Sequence, residues 1–125
     1  MEMAEPIIYA FEDSRYPGWL KVGMTNGRSP EKRVREQYAT VIPYGELPYR
    51  IVLTEKAVKH DGTFFDDHLV HYLLSARGFE RGYSEWFRCN IPDVEKAVED
   101  IRNGIDINKI IEEGIKDGRI KKDQG

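Results

Sequence analysis

The fold is decided by Ile7-Ile8-Tyr9-Ala10-Phe11 and by Trp19-Leu20-Lys21-Val22-Gly23-Met24. In each stretch the side chains alternate between two sets, which is the period-two pattern of a β-strand. A short turn joins the stretches, so together they predict a β-hairpin. Tyr9 and Lys21 are expected to project from the same face of this hairpin. Gly23 shares the face of Lys21, and its missing side chain leaves room for a bulky group to approach the backbone.

A basic helix is predicted directly after the hairpin. Ser29-Pro30 supplies an N-cap side chain followed by proline at the first helical position, and the helix is expected to run to about Tyr38. Val34 should face the core. Arg33 and Gln37 are four residues apart and should form a neighbouring polar row.

A third strand and a second helix are predicted after a loop rich in proline and glycine. The strand covers residues 49–54, and Thr63 is expected to cap the helix, with Asp66 at the third helical position. Gly78 should end this helix. Four apolar residues follow helical spacing and are expected to be buried: Phe65, Leu69, Tyr72 and Leu73.

Residues 84–88 predict a short strand or an extended segment, in which Trp86 and Phe87 are expected to be core residues. Asn90 can cap a third helix over residues 92–103. The order of elements predicts a small α+β domain, in the broad sense α/β, with a mainly antiparallel three-stranded sheet flanked by helices. We expect this domain to span residues 1–104, followed by a charged helix, tail or linker at 105–125.

Composition points to one soluble domain. The chain has 125 residues, 40% of them hydrophobic, which is enough for a modest core. No apolar run approaches the roughly 20 residues that span a bilayer, and the N-terminus lacks a signal-peptide pattern. Cys89 is the only cysteine, which excludes an intrachain disulfide and a cysteine-based zinc site. A cytoplasmic protein, encoded by a bacterium or a phage, fits best.

Positive charge is concentrated in one part of an acidic chain. The net charge is −3, but residues 15–35 carry six basic side chains against one acid. The basic residues are Arg15, Lys21, Arg28, Lys32, Arg33 and Arg35. Screening limits charge effects to about 10 Å at 0.1 M salt, so such a cluster can hold phosphate whatever the net charge is. An ordinary solvated surface remains the alternative on charge alone.

Five motifs in order over residues 7–88 resemble the GIY-YIG nuclease superfamily, in particular a phage and restriction-associated branch with lysine in the second motif. They are Ile7-Ile8-Tyr9, Lys21-Val22-Gly23-Met24-Thr25, Ser29-Pro30-Glu31-Lys32-Arg33, the pair Asp67 and His71, and Glu85-Trp86-Phe87. Ile7 replaces the first glycine and Lys21 the tyrosine of the eponymous motifs. Asp67 stands where the family usually has the longer glutamate.

The resemblance implies a phosphodiester-hydrolysing site. Tyr9 would act as general base or orient the water, and because its ordinary pKa is near 10, Lys21 would have to lower it. Arg33 would stabilise negative charge on the phosphate. Asp67 would hold a divalent cation, Mg²⁺ or Mn²⁺, and His71 would relay a proton or contact phosphate, unless it is a structural histidine.

Further residues would support this site. Glu85 would be a second metal ligand or a structural residue. Arg28, Lys32 and Gln37 would contact nucleic acid.

Three functions remain open at this point. The first is a metal-dependent DNA endonuclease of phage, restriction or mobile-element type. The second is a catalytically degenerate DNA-binding module within a larger DNA-processing protein. The third is a protein-interaction domain. The expected partner is DNA and not a membrane, and a homodimer or further domains of a larger restriction or helicase-type protein are possible arrangements.

Overall fold

The computed structural model describes residues 5–37 and 47–118. Within these ranges the chain forms one four-stranded antiparallel sheet in the spatial order β3-β1-β2-β4. The strands are β1 Pro6–Asp13, β2 Trp19–Asn26, β3 Tyr49–Lys56 and β4 Trp86–Arg88. The α+β class is confirmed, and so is the hairpin. The count of three strands is wrong, because residues 86–88 pair with Trp19–Lys21 of β2 and add a short edge strand.

Four helices accompany the sheet in the described part of the chain: α1 Pro30–Arg35, α2 Asp67–Ala76, α3 Ile91–Arg102 and α4 Ile107–Lys116. Ser29 caps α1 through its side chain and Pro30 begins the helix, as predicted. Tyr38, the expected end of α1, lies outside the described residues. Asn90 caps α3 in a capping box with Asp93, which confirms that helix start.

The predicted start of α2 is wrong. Asp66 is the N-cap and accepts a hydrogen bond from the His68 amide at 3.1 Å. Thr63 is instead tied to Asp61, whose carboxylate accepts bonds from the Thr63 amide and hydroxyl at 2.9 and 2.6 Å. Gly78 follows the helix with a φ of 88°, in agreement with its predicted role as the stop.

The two faces of the sheet carry separate apolar clusters. One face packs against α2 and α3 and contains Ile8, Ala10, Val22 and Phe87. The opposite face bears a smaller cluster, which is formed by Tyr9, Phe11 and Val34 with Tyr49, Ile51 and Trp86 packed against it. This second cluster positions the candidate site. Phe87 is buried as predicted, whereas Trp86 is only partly buried.

Helix α2 buries a slightly different stripe from the one predicted. Leu73 is fully buried and Phe65 nearly so, but Tyr72 is 49% exposed. His71 occupies the core position beside Leu73 and Leu74 instead. The C-terminal helix α4 packs against α2, and Ile107 contacts the main core. No helix among the described residues is both long and apolar enough to cross a membrane.

Candidate active site

Tyr9 lies at the centre of the candidate site and fits into the space left by Gly23. The two residues face each other across β1 and β2, and the Tyr9 side chain is 2% exposed. A Cβ atom placed on Gly23 would lie 2.6 Å from the Tyr9 hydroxyl and 2.7 Å from Cζ. Gly23 therefore admits a bulky group, as predicted, and that group is the phenol ring of Tyr9.

Gln37 connects Tyr9 with Lys21. Its Nε2 donates to the Tyr9 hydroxyl oxygen at 3.0 Å and also to the Arg33 carbonyl at 3.3 Å, and its Oε1 accepts from Lys21 Nζ. Lys21 is thus on the same face as Tyr9, as predicted, but it reaches the hydroxyl only through the amide. Both polar ends of Gln37 are engaged, which makes it a positioning residue in this arrangement.

The Tyr9 hydroxyl has a raised pKa. Burial is the largest cause, and the negative charges of Glu85 and Asp67 act in the same direction. The Gln37 hydrogen bond and the positive charge of Arg33 lower the pKa but do not outweigh burial. The expectation that Lys21 lowers this pKa is therefore wrong: the cation that acts on Tyr9 is Arg33, and the net shift is upward.

Three other predicted site residues carry charges that act on the Tyr9 hydroxyl. Arg33, Glu85 and Asp67 are close enough for their charges to act on the Tyr9 hydroxyl. They come from three separate elements: α1, the turn before β4, and the first residue of α2. The Arg33 side chain is exposed and has no ion-pair partner among the described residues. One cation and two carboxylates thus act on the charge of a buried hydroxyl.

The surroundings of Asp67 suit a divalent cation. Asp67 is 13% exposed and, within residues 5–37 and 47–118, forms no ion pair with lysine or arginine. Asp66, Asp67 and His68 offer ligand atoms that all lie within 4.8 Å of one another. Mg²⁺ needs only one or two protein carboxylates because it keeps several of its waters. The donor set at Asp67 therefore fits such an ion.

His71 is part of the core and not of the solvent-facing site. It is 2% exposed, stacks on Phe87 with ring centroids 5.4 Å apart, and contacts the Val22 carbonyl through Nε2 at 2.8 Å. The Val22 amide donates to the Glu85 carbonyl on the edge of β2 that faces β4. The His71 side chain thus contacts β2 on the edge that pairs with β4, next to the first residue of β4. Its Nε2 also lies 3.9 Å from Asp67, so the two residues are neighbours without a direct hydrogen bond.

Among the described residues, Arg28 and Lys32 differ in whether a neighbouring carboxylate pairs with them. Arg28 is paired with Glu36 through two hydrogen bonds, one of them 3.0 Å long, so a phosphate would have to compete with that carboxylate. Lys32 is exposed on α1.

The sequence did not reveal the link from Gln37 to Tyr9, although their common neighbour Arg33 lies four residues before Gln37. It also did not reveal the bond from His71 to β2, which has no local signal.

A family model described as the T5orf172 domain matches residues 6–102, well over half of the chain. The match includes every residue of the site described above. This domain occurs in phage and nuclease-like proteins. Neither the curated proteins nor the solved structures give a match to this chain.

Proposed function

The chain belongs to the T5orf172 domain family, and we propose that it is a divalent-metal-dependent endonuclease that hydrolyses phosphodiester bonds in DNA. The observation that carries the proposal is the Tyr9 hydroxyl, which accepts a hydrogen bond from Gln37 at 3.0 Å and feels the charges of Arg33, Glu85 and Asp67. Family membership supports a nuclease-like or DNA-binding role. The resemblance of the motifs to GIY-YIG nucleases adds the reaction class.

Arg33 is the residue best suited to hold the scissile phosphate. Its guanidinium is exposed, and its planar fork matches two phosphate oxygens. The negative charge that develops on those oxygens would be stabilised at the same place. The negative net charge of the chain does not prevent this contact, because the guanidinium and the phosphate interact over only a few ångströms.

Tyr9 would position the attacking water. Its oxygen already accepts a hydrogen bond from Gln37, so its own proton remains available to donate. Because the pKa is raised, the group is a neutral phenol at neutral pH, and it acts as an orienting hydroxyl unless a bound cation lowers that pKa. Lys21 fixes the direction of the Gln37 amide and so the direction of the bond to Tyr9.

Asp67 would hold the metal, with Glu85 or Asp66 as a second oxygen donor. When bound, Mg²⁺ or Mn²⁺ polarises the phosphate and stabilises the leaving oxygen. His71 would help to fix the first turn of α2, which carries Asp67, by anchoring that helix to β2 from within the core. Its substitution should therefore affect stability as well as activity.

Nicking of supercoiled plasmid, with Mg²⁺ or with EDTA, tests the proposal. The protein should nick only with Mg²⁺, and Arg33→Ala should reduce the rate by about 10²-fold or more. Arg35→Ala is the matched control, because Arg35 is also exposed on α1 but projects to another side of the helix. Equal rates for the two variants, or nicking that survives EDTA, would contradict the proposal.

A second candidate is a DNA-binding module without activity. It is favoured by one observation, the raised pKa of a buried Tyr9 beside two acids. This reading predicts salt-sensitive DNA binding without cleavage at any divalent cation concentration. Loss of charge at Lys21 or Arg33 should then weaken binding, and normal binding by both variants would remove this reading as well.

A further inference from the structure

A cleft lined by aromatic rings lies beside the candidate active site. Its walls are Tyr16, Trp19, Gly82, Tyr83 and Trp86, and its volume is about 360 Å³. We propose that this aromatic pocket binds an unpaired nucleobase of the DNA strand on which the site acts. The proposal rests on the proposed function only in taking nucleic acid as the ligand.

The pocket presents several aromatic rings on which a flat ligand can stack. Tyr16 and Trp86 meet edge to face, with centroids 5.7 Å apart and an interplanar angle of 66°. A Cβ atom on Gly82 would lie 3.0 Å from Trp19 Cζ3, so glycine at this position lets the indole lie against the backbone. Stacking between aromatic rings and bases is tolerant of sequence, since every base has a π-face.

Tyr83 is the least expected residue of the pocket. It is 94% exposed, the highest value among the large apolar residues described. The next residue, Ser84, has a φ of 58°, in the left-handed region that non-glycine residues seldom adopt. Two backbone hydrogen bonds close the turn, from the Gly82 amide to the Trp86 carbonyl at 2.8 Å and from the Trp86 amide to the Tyr83 carbonyl at 3.3 Å. The turn thus presents a tyrosine ring to solvent at a cost in backbone strain.

Positive charge borders the pocket. The Arg88 guanidinium lies over the Trp19 ring at 5.0 Å from its centroid, and that of Arg15, which also pairs with Asp13 at 2.7 Å, lies over Tyr16 at 5.4 Å. Arg88 pairs with Glu80 at 3.4 Å, but both side chains are well exposed, so this pair is weak. Cations beside aromatic walls match a nucleotide, whose base is flat and whose phosphate is negative. A purely apolar peptide would not use them.

Trp86 connects the pocket with the candidate active site. Trp86 is the register partner of Lys21 and lies 5.6 Å from Phe11 between ring centroids, so it lines the pocket and also packs against the apolar cluster that contains Tyr9. Neighbouring strands are about 4.8 Å apart. The turn that carries Tyr83 also carries Glu85, whose charge acts on Tyr9. A base held by the aromatic rings would therefore place the adjoining phosphates near Lys21.

Fluorescence titration with single-stranded oligonucleotides tests the proposal, because both tryptophans of the chain line this pocket. The titration uses an oligothymidylate in EDTA, which prevents cleavage by the proposed mechanism. Binding should quench the fluorescence. An abasic deoxyribose-phosphate oligomer of the same length, which has the same charge and no bases, should quench far less.

Tyr83→Ala should weaken oligothymidylate binding by about 5- to 150-fold, the range for loss of one base-stacking residue. Tyr72→Ala is the matched control, since Tyr72 is a half-exposed tyrosine outside the pocket. Gly82→Ala, which crowds Trp19, should also weaken binding. The proposal is overturned if Tyr83→Ala and Tyr72→Ala bind alike, or if the abasic oligomer quenches equally. The nicking assay is separate, so loss of the pocket and loss of the nuclease proposal remain distinguishable.

Discussion

Substitution of Gly23 by alanine tests the geometry of the site most stringently. The added Cβ would lie 2.6 Å from the Tyr9 hydroxyl, about 0.8 Å less than the 3.4 Å at which ordinary contact begins. Tyr9 cannot easily move aside, because it is 2% exposed and packs with Phe11 and Val34. Overpacking of this kind costs about 1–3 kcal/mol. We expect Gly23→Ala to lower the free energy of unfolding by that amount and to break the bond from Gln37 to Tyr9.

A double-mutant cycle shows whether the cost arises from Tyr9. Urea unfolding, followed by circular dichroism, would be measured for Gly23→Ala, Tyr9→Val and the double variant. With the ring removed, the alanine meets no clash. It should then be neutral or stabilising by roughly 0.5–1 kcal/mol, because glycine inside a strand is unfavourable. An equal cost of Gly23→Ala in both backgrounds would refute the proposed packing of Tyr9 against Gly23.

Three further predictions follow from the same site and the core. Tyr9→Phe removes only the hydroxyl and its bond to Gln37, so it should lower the free energy of unfolding in urea by about 1 kcal/mol. It should also reduce the nicking rate by about 10²-fold or more. An unchanged nicking rate would contradict the role of the hydroxyl. Asp67→Asn should abolish Mg²⁺-dependent nicking, whereas Asp67→Glu should retain it. Glu95→Gln, at an exposed position of α3, is the control. Equal nicking by Asp67→Asn and this control would show that Asp67 is not the metal ligand. Burial, with the Asp93 charge as a smaller cause, raises the pKa of the Cys89 thiol from 9.0 to about 12. The thiol of the folded protein should therefore react with a disulfide reagent at pH 8 about a thousandfold more slowly than that of the unfolded protein, and a fast reaction would contradict its burial. The contribution of the buried thiol to stability should be complete below pH 9 and lost as the pH rises toward 12.

The parts of the fold that depend on local sequence were predictable. The alternation around Tyr9 and Lys21 gave the hairpin, and Ser29-Pro30 gave the start of α1. Both signals act within a few residues. The cap of α2 was misassigned because Thr63 and Asp66 both fit a cap, and the choice depends on Asp61, which engages Thr63 instead.

The parts that depend on long-range contacts were not predictable. A short strand or extended segment was predicted at residues 84–88 but its pairing was not, because β4 gains its hydrogen bonds from β2, more than sixty positions earlier in the chain. Gln37 lies 28 positions from Tyr9, and His71 lies 49 positions from Val22, so no spacing rule relates them. The direction of the Tyr9 pKa shift was also hidden, because burial outweighs the neighbouring cation only after the ring is enclosed.

The proposed function requires Asp67 to hold a divalent cation within reach of Tyr9. Crystals soaked in Mn²⁺ test it directly, since anomalous scattering locates the ion without assumptions about the donor atoms. The proposal predicts a Mn²⁺ peak bound by the Asp67 carboxylate, in a groove also lined by Tyr9 and Arg33. A peak only at a distant site, or none at a Mn²⁺ concentration that supports nicking, would contradict it.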